Sequence, residues 1–167
     1  MRAGSSERLF SPNETARLVV YLRAHFRLDW DGIHGAPHWA RVKRIGLKLA
    51  AITSADPGVV SLFAFLHDSC RINDRRDPGH GLRASLLVQR LQGDLFRLSP
   101  GQLDQLIVAC AGHSAGQLIA DMTVQTCWDA DRLDYGRLGV RPDPQYLGTE
   151  AARSGEFLEW TWDLSQR

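Results

Sequence analysis

The sequence predicts an all-α fold, a single helical bundle of six or seven helices, and three observations carry that expectation. Apolar residues recur at helical spacing in segment after segment. Helix-entry pairs stand at Ser11-Pro12, Asp56-Pro57 and Ser99-Pro100, each with a capping side chain followed by a proline suited to the first turn. No stretch of useful length alternates apolar and polar residues as a half-buried strand would.

Residues 1–10 read as a flexible N-terminus and 11–167 as one domain. Ser11-Pro12-Asn13-Glu14 opens the first helix with Glu14 in the capping-box position, and Leu18, Val19, Leu22 and Phe26 mark its buried face. Residues 28–37 form a loop. Pro37 then favours a second helix whose apolar side runs through Val42, Ile45, Leu49 and Ile52, with His38 and Arg41 sharing a face close to that side. Asp56 and Pro57 open a third, apolar helix over 59–66. A polar loop separates it from a fourth pattern built on Leu82, Leu86, Leu87, Val88 and Leu91. Ser99-Pro100-Gly101-Gln102 repeats the capping box ahead of Leu103, Leu106, Ile107 and Cys110. A helix through Trp128 to Leu133, turns containing Pro142 and Pro144, and a short last helix over 149–158 complete the chain. Trp160 and Trp162 are expected to fold back over apolar surface.

The bulk composition narrows the function classes. With 167 residues and 44% hydrophobic content, the chain can bury one sizeable core. Twenty Lys and Arg against 19 Asp and Glu give a net charge of +1, so no global field points to nucleic acid or an anionic membrane, and any anion recognition must be local. The longest apolar run, 59–66, is broken only by Ser61 and falls far short of the roughly 20 residues that span a bilayer. No apolar segment near Met1 resembles a secretion signal. Cys70, Cys110 and Cys127 lack paired spacing and suit reduced thiols, so a cytoplasmic protein is expected.

The chemistry concentrates where apolar helices stop. Phe63-Ala64-Phe65-Leu66 runs straight into His67-Asp68, placing an imidazole and a carboxylate at the end of a core helix. Burying such groups unpaired is costly. A hydrogen-bond network or a metal ion, which takes neutral imidazole and ionised carboxylate, relieves that cost. His38 stands on the first turn of the second helix, His80 near the start of the fourth, and His113 closes the fifth. Asp129, Asp131 and Asp134 cluster late in the chain, with Asp131 and Asp134 on one helical face. Arg71, Arg75 and Arg76 crowd the loop after His67-Asp68, and arginine forks match phosphate oxygens; Asp74 and Asp77 are their alternative partners.

Taken together, His38, His67-Asp68 and Asp131 in the Asp129-Ala130-Asp131-Arg132-Leu133 string form the order H…HD…D, which resembles the HD superfamily of metal-dependent phosphohydrolases. The likeness covers most of the chain and suggests a small single-domain member of bacterial type. It implies one divalent ion held by His38, His67, Asp68 and Asp131. Some branches place two further histidines between the HD pair and the last Asp, and His80 and His113 stand in that interval; the resemblance implies that they hold a second ion with Asp68 bridging, or bind substrate. The implied cofactor is one or two divalent metal ions (Mn, Fe, Ni, Co, Zn or Mg). Arg71, Arg75 and Arg41 are the candidate phosphate-binding residues, and His34 and His113 the candidate leaving-group acids. The Gly-Tyr-Pro signature of the cyclic-di-nucleotide branch is absent.

The expected activity is hydrolysis of a phosphate ester, with a nucleotide among the candidate substrates. Two other readings stand beside it: a di-iron oxygenase, since some HD-fold proteins with this six-ligand pattern activate dioxygen, and a non-catalytic nucleotide-binding module. The expected partner is a small phosphorylated molecule, with homo-oligomer formation left open.

Overall fold

The computed structural model describes residues 11–118 and 120–167. The flexible N-terminus expected over 1–10 lies outside the described residues. Among the described residues, eight α-helices and two short 3-10 segments follow one another: α1 (Pro12–His25), α2 (Ala36–Thr53), α3 (Pro57–Leu66), α4 (His80–Leu91), α5 (Pro100–Gly112), α6 (Met122–Leu133), the 3-10 turns Tyr135–Leu138 and Pro144–Tyr146, α7 (Glu150–Arg153) and α8 (Gly155–Ser165). Among the described residues there is no β-strand.

The helix starts follow local capping chemistry. Ser11 and Ser99 each accept from the backbone three residues on, while Glu14 and Gln102 reach back to the capping residue's own amide. Asp56 accepts from the amides of Gly58 and Val59 and so fixes where α3 begins. The helix expected over 149–158 is instead two. Ser154 takes an extended conformation that ends α7, and its hydroxyl accepts from Phe157 N to start α8.

Helix α3 is the centre of the bundle. It is apolar on all sides because α2, α5 and α6 pack around it, and Val59, Val60, Leu62, Phe63, Ala64 and Leu66 are all buried. Helix α4 packs on α5, and α1 covers the core with Leu18 and Leu22. Two sequence expectations shift in register. Leu82 and Leu86 are exposed, because Ala84, Leu87, Val88 and Leu91 form the inward face of α4; Ile52 is likewise exposed beyond the last buried turn of α2. Trp160 does pack against the core, with the Lys48 ammonium 3.9 Å from its ring centroid.

Asp129 ties the C-terminal segment to this bundle. Fully buried, it accepts from Gln125 Nε2, Gly148 N, Thr149 N and Thr149 Oγ1 at 2.7–3.0 Å. It therefore faces away from Asp131, as its position in the helical register predicts.

Candidate metal centre

Helix ends assemble the site. His67 caps α3 and Asp68 follows it; His113 caps α5; Asp131 lies in the last turn of α6 and Asp134 caps it. His38 comes from the first turn of α2, and His80 is the first residue of α4. Three helix C-termini, with negative dipole ends, thus meet two N-termini, those of α2 and α4, with positive ends, so the preference for a cation rests on the donor side chains themselves.

The donor atoms form two trios that share one carboxylate: His38, His67 and Asp68, and Asp68, His80 and His113, all buried. In the first, His38 Nε2 and His67 Nε2 stand 3.1 Å apart. Asp68 Oδ2 lies 3.6 and 3.7 Å from them, and Asp131 Oδ1 lies 3.3 and 3.5 Å from them, making Asp131 a fourth donor. In the second, His80 Nε2 and His113 Nε2 are 2.8 Å apart, with Asp68 Oδ1 at 3.2 and 3.5 Å. The two oxygens of Asp68 therefore face different trios.

Tautomer logic shows what the trios fit. Each imidazole has its Nδ1 against an oxygen that can only accept: His38 against Asp134 Oδ2 at 2.7 Å, His67 against Phe63 O at 3.1 Å, His113 against Cys110 O at 2.8 Å, and His80 against Asp77 O. Each Nδ1 accordingly carries the proton, which leaves Nε2 as a bare lone pair. Two pairs of such lone pairs face each other at about van der Waals contact or less, with ionised carboxylates alongside. That arrangement is repulsive unless a positive charge lies between the donors. Donors about 2.1 Å from one cation stand roughly 3.0 Å apart in an octahedron and 3.4 Å in a tetrahedron, and the gaps above bracket those spacings. The residues thus fit a divalent ion at each trio.

The charges agree. Burial acts to raise Asp68 and Asp131, but the charge and N–H bonds of the neighbouring imidazoles, in their protonated form, outweigh it and hold both carboxyls well below the ordinary range; a cation at the trios would act in the same direction with the imidazoles neutral. Burial acts to lower His38, yet its bonds to Asp131 and Asp134 outweigh this and raise it. Without a cation that position attracts a proton; a bound ion would take the proton's place.

A second layer fixes the donors. Asp134 is fully buried, and besides holding His38 it accepts from Arg41 Nε at 2.7 Å through Oδ1. Arg71 Nε donates to Asp68 Oδ1 at 3.0 Å, and its Nη1 donates to Asn73 O and Arg75 O. Of the arginines expected to meet phosphate, Arg41 and Arg71 are thus bonded to carboxylates of the centre, and Arg75 is exposed, reaching it only through its backbone carbonyl. Asp74 and Asp77 pair with His34 and Arg83 rather than with the loop arginines. His34 belongs to neither trio; its Nδ1 is 2.8 Å from Asp74 Oδ1, and burial, outweighing that bond, lowers its pKa. Asp134 is the residue whose part here went unread in the sequence, although its place one turn after Asp131 was the available signal.

A cavity of about 260 Å³ opens beside the second trio, lined by His113, Arg132, Tyr135, Pro142, Asp143 and Tyr146. Arg132 braces its wall by donating to Tyr146 O and Gln117 O at 3.1 and 2.9 Å. Burial, with Asp131 nearby, pushes the Tyr135 phenol upward, so that it stays a neutral hydrogen-bond donor near pH 7.

No protein-family model matches the sequence, and no curated protein matches it. Among solved structures, the chain is similar to the crystal structure of a predicted HD superfamily hydrolase from an uncultured Thermotogales bacterium. The two share a TM-score of 0.67 and 21% sequence identity, over 89% of this chain and 84% of that one.

Proposed function

Starting from a chain with the HD-superfamily fold, we propose that this protein is a metal-dependent phosphohydrolase that cleaves a phosphate ester in the cavity beside His113. The observation that carries the reading is the double trio with one shared carboxylate, Asp68, because in-line displacement at phosphorus is the chemistry for which two adjacent cations are best suited. The neighbouring structure's description as a predicted HD superfamily hydrolase supports the same class.

Bound divalent ions supply Lewis acidity and bring the pKa of a coordinated water toward neutrality. His38, His67, Asp68 and Asp131 are the residues that would hold one ion, and Asp68, His80 and His113 those that would hold a second. Asp134 and Arg41 fix the ring of His38, and Arg71 fixes the carboxylate of Asp68, so that the donors keep their orientation as charge changes during reaction. Tyr135, in the cavity wall, donates to the substrate or its leaving group. The part of His34 is to hold the loop carrying Asp74 against the start of α2.

The test is a screen of phosphomonoesters, cyclic nucleotides and dinucleotides against several divalent ions, with Asp68→Ala in parallel. Metal-stimulated phosphate release that disappears in Asp68→Ala, together with loss of bound metal, is the expected result. Full metal content and full activity in that variant would refute the assignment. Oxygen uptake by protein holding a mixed-valent iron pair, with no phosphate released from any ester, would replace the hydrolase by an oxygenase on the same donors.

A further inference from the structure

A second cavity, of about 320 Å³, lies between α1, α4 and the loop after Asp68, and none of the six donors of the metal centre lines it. Four arginines do: Arg27, Arg71, Arg83 and Arg90. One of them, Arg83, is fixed in the wall by donating from Nε to Cys70 O at 3.0 Å.

Carboxylates balance only two of the four. Arg83 is paired with Asp77, and Arg71 with Asp68. Among the described residues, Arg27 has no ion pair, and the bond made by the Arg90 guanidinium is to the neutral hydroxyl of Tyr21 at 2.8 Å. Guanidinium groups gathered in one concavity repel one another, and an anion seated among them removes that repulsion. Apart from Ser69 and Cys70, the rest of the wall is apolar or aromatic. Leu22, Ile72 and Leu87 contribute to it, and Tyr21 and His25 present rings stacked 4.1 Å apart at 22°. The volume falls at the lower end of the roughly 300–1,000 Å³ usual for small-ligand clefts.

We propose that this cleft is a separate binding site for a small organic molecule bearing a phosphate-type dianion, with the dianion on Arg27 and Arg90 and the organic body against Tyr21 and the apolar wall. Arginine forks recognise such a group bidentately, and the apolar wall accounts for an organic substituent rather than free phosphate.

The probe is phenylphosphonate, whose carbon–phosphorus bond a phosphate-ester hydrolase leaves intact, titrated calorimetrically into metal-loaded protein. Arg27 and Arg90 are exposed, so Arg27→Gln/Arg90→Gln keeps the fold. The comparison variant is Asp131→Asn, which alters the metal centre and leaves the cleft untouched. Affinity is expected to fall at least about tenfold in the double variant, the loss that removal of one charge-assisted bond implies, and to stay within about twofold in Asp131→Asn. In wild type, phenylphosphonate is also expected to slow alkylation of Cys70. Absence of binding to wild type, affinity unchanged in the double variant, or a loss in Asp131→Asn as large as in the double variant would each overturn the proposal. Phosphate-ester hydrolysis is read separately, so failure here leaves the metal-centre reading standing, and the reverse also holds.

Discussion

Replacing Asp134 by alanine separates what holds the metal centre from what merely holds the fold. Asp134 is fully buried and belongs to neither donor trio; one oxygen accepts from His38 Nδ1 and the other from Arg41 Nε, both at 2.7 Å. Alanine frees the His38 ring to rotate or to move its proton to Nε2, the atom that must face the cation. Losing such a supporting partner weakens metal binding by about 10–100-fold, or roughly 1.4–2.8 kcal/mol. The control is Asp129→Ala, five residues earlier on the same helix, equally buried and accepting four hydrogen bonds, none of them from a donor of the centre. Its loss strands buried donors of Gln125, Gly148 and Thr149 and costs about 3–5 kcal/mol, or a fall of roughly 6–20 °C in Tm for a chain of this size. Metal titration by calorimetry and thermal unfolding of both variants give the answer. Asp134→Ala should bind metal weakly, and Asp129→Ala should unfold early yet bind metal normally at a temperature where it is folded. Equal metal affinity in Asp134→Ala and wild type would refute the supporting role.

Three further outcomes follow from the same coordinates. A Cβ on Gly81 would stand 2.7 Å from Cys110 O and 3.0 Å from Ala111 O, both rigid backbone, so Gly81→Ala should push α4 away from α5, cost about 1–3 kcal/mol, and separate His80 from His113. Metal analysis should then find the second ion lost and the first retained; two ions held at wild-type affinity would contradict it. Stripping divalent ions with a chelator should lower Tm, because the facing imidazole lone pairs lose their counter-charge. Restoring the ion to a hundred times its Kd should return about 2.7 kcal/mol, or roughly 5–11 °C, and an unchanged Tm would remove the case for a buried cation. Burial pushes all three thiols upward, but only Cys70 is half-exposed; iodoacetamide should therefore modify Cys70 alone, and slowly, in the native protein and all three after denaturation, as mass spectrometry would read.

The sequence determined on its own whatever depends on neighbours a few residues apart. Ser11, Asp56 and Ser99 mark helix starts because a cap bonds within its own first turn, and α3 is legible as the central helix because it carries no polar face. His67-Asp68 and His113 could be placed at helix ends for the same reason, and Asp131 and Asp134 on one face from the helical repeat alone. The all-α fold, which the structural comparison shares, follows from such local signals.

What the sequence could not hold is the choice of partner across the bundle. Asp134 bonds His38 from 96 residues away, and Arg41 from 93; Asp74 takes His34 across 40 residues instead of a neighbouring arginine. Helical periodicity says which way a side chain faces, but the element it meets depends on how helices cross. For that reason the loop arginines looked like one phosphate-binding group, whereas tertiary packing turns Arg71 inward onto Asp68, leaves Arg75 and Arg76 in solvent, and gathers Arg27, Arg83 and Arg90 around a different cavity. A buried charge is stable only where its counter-charge can reach it, and that meeting is decided by the packed helices rather than by distance along the chain.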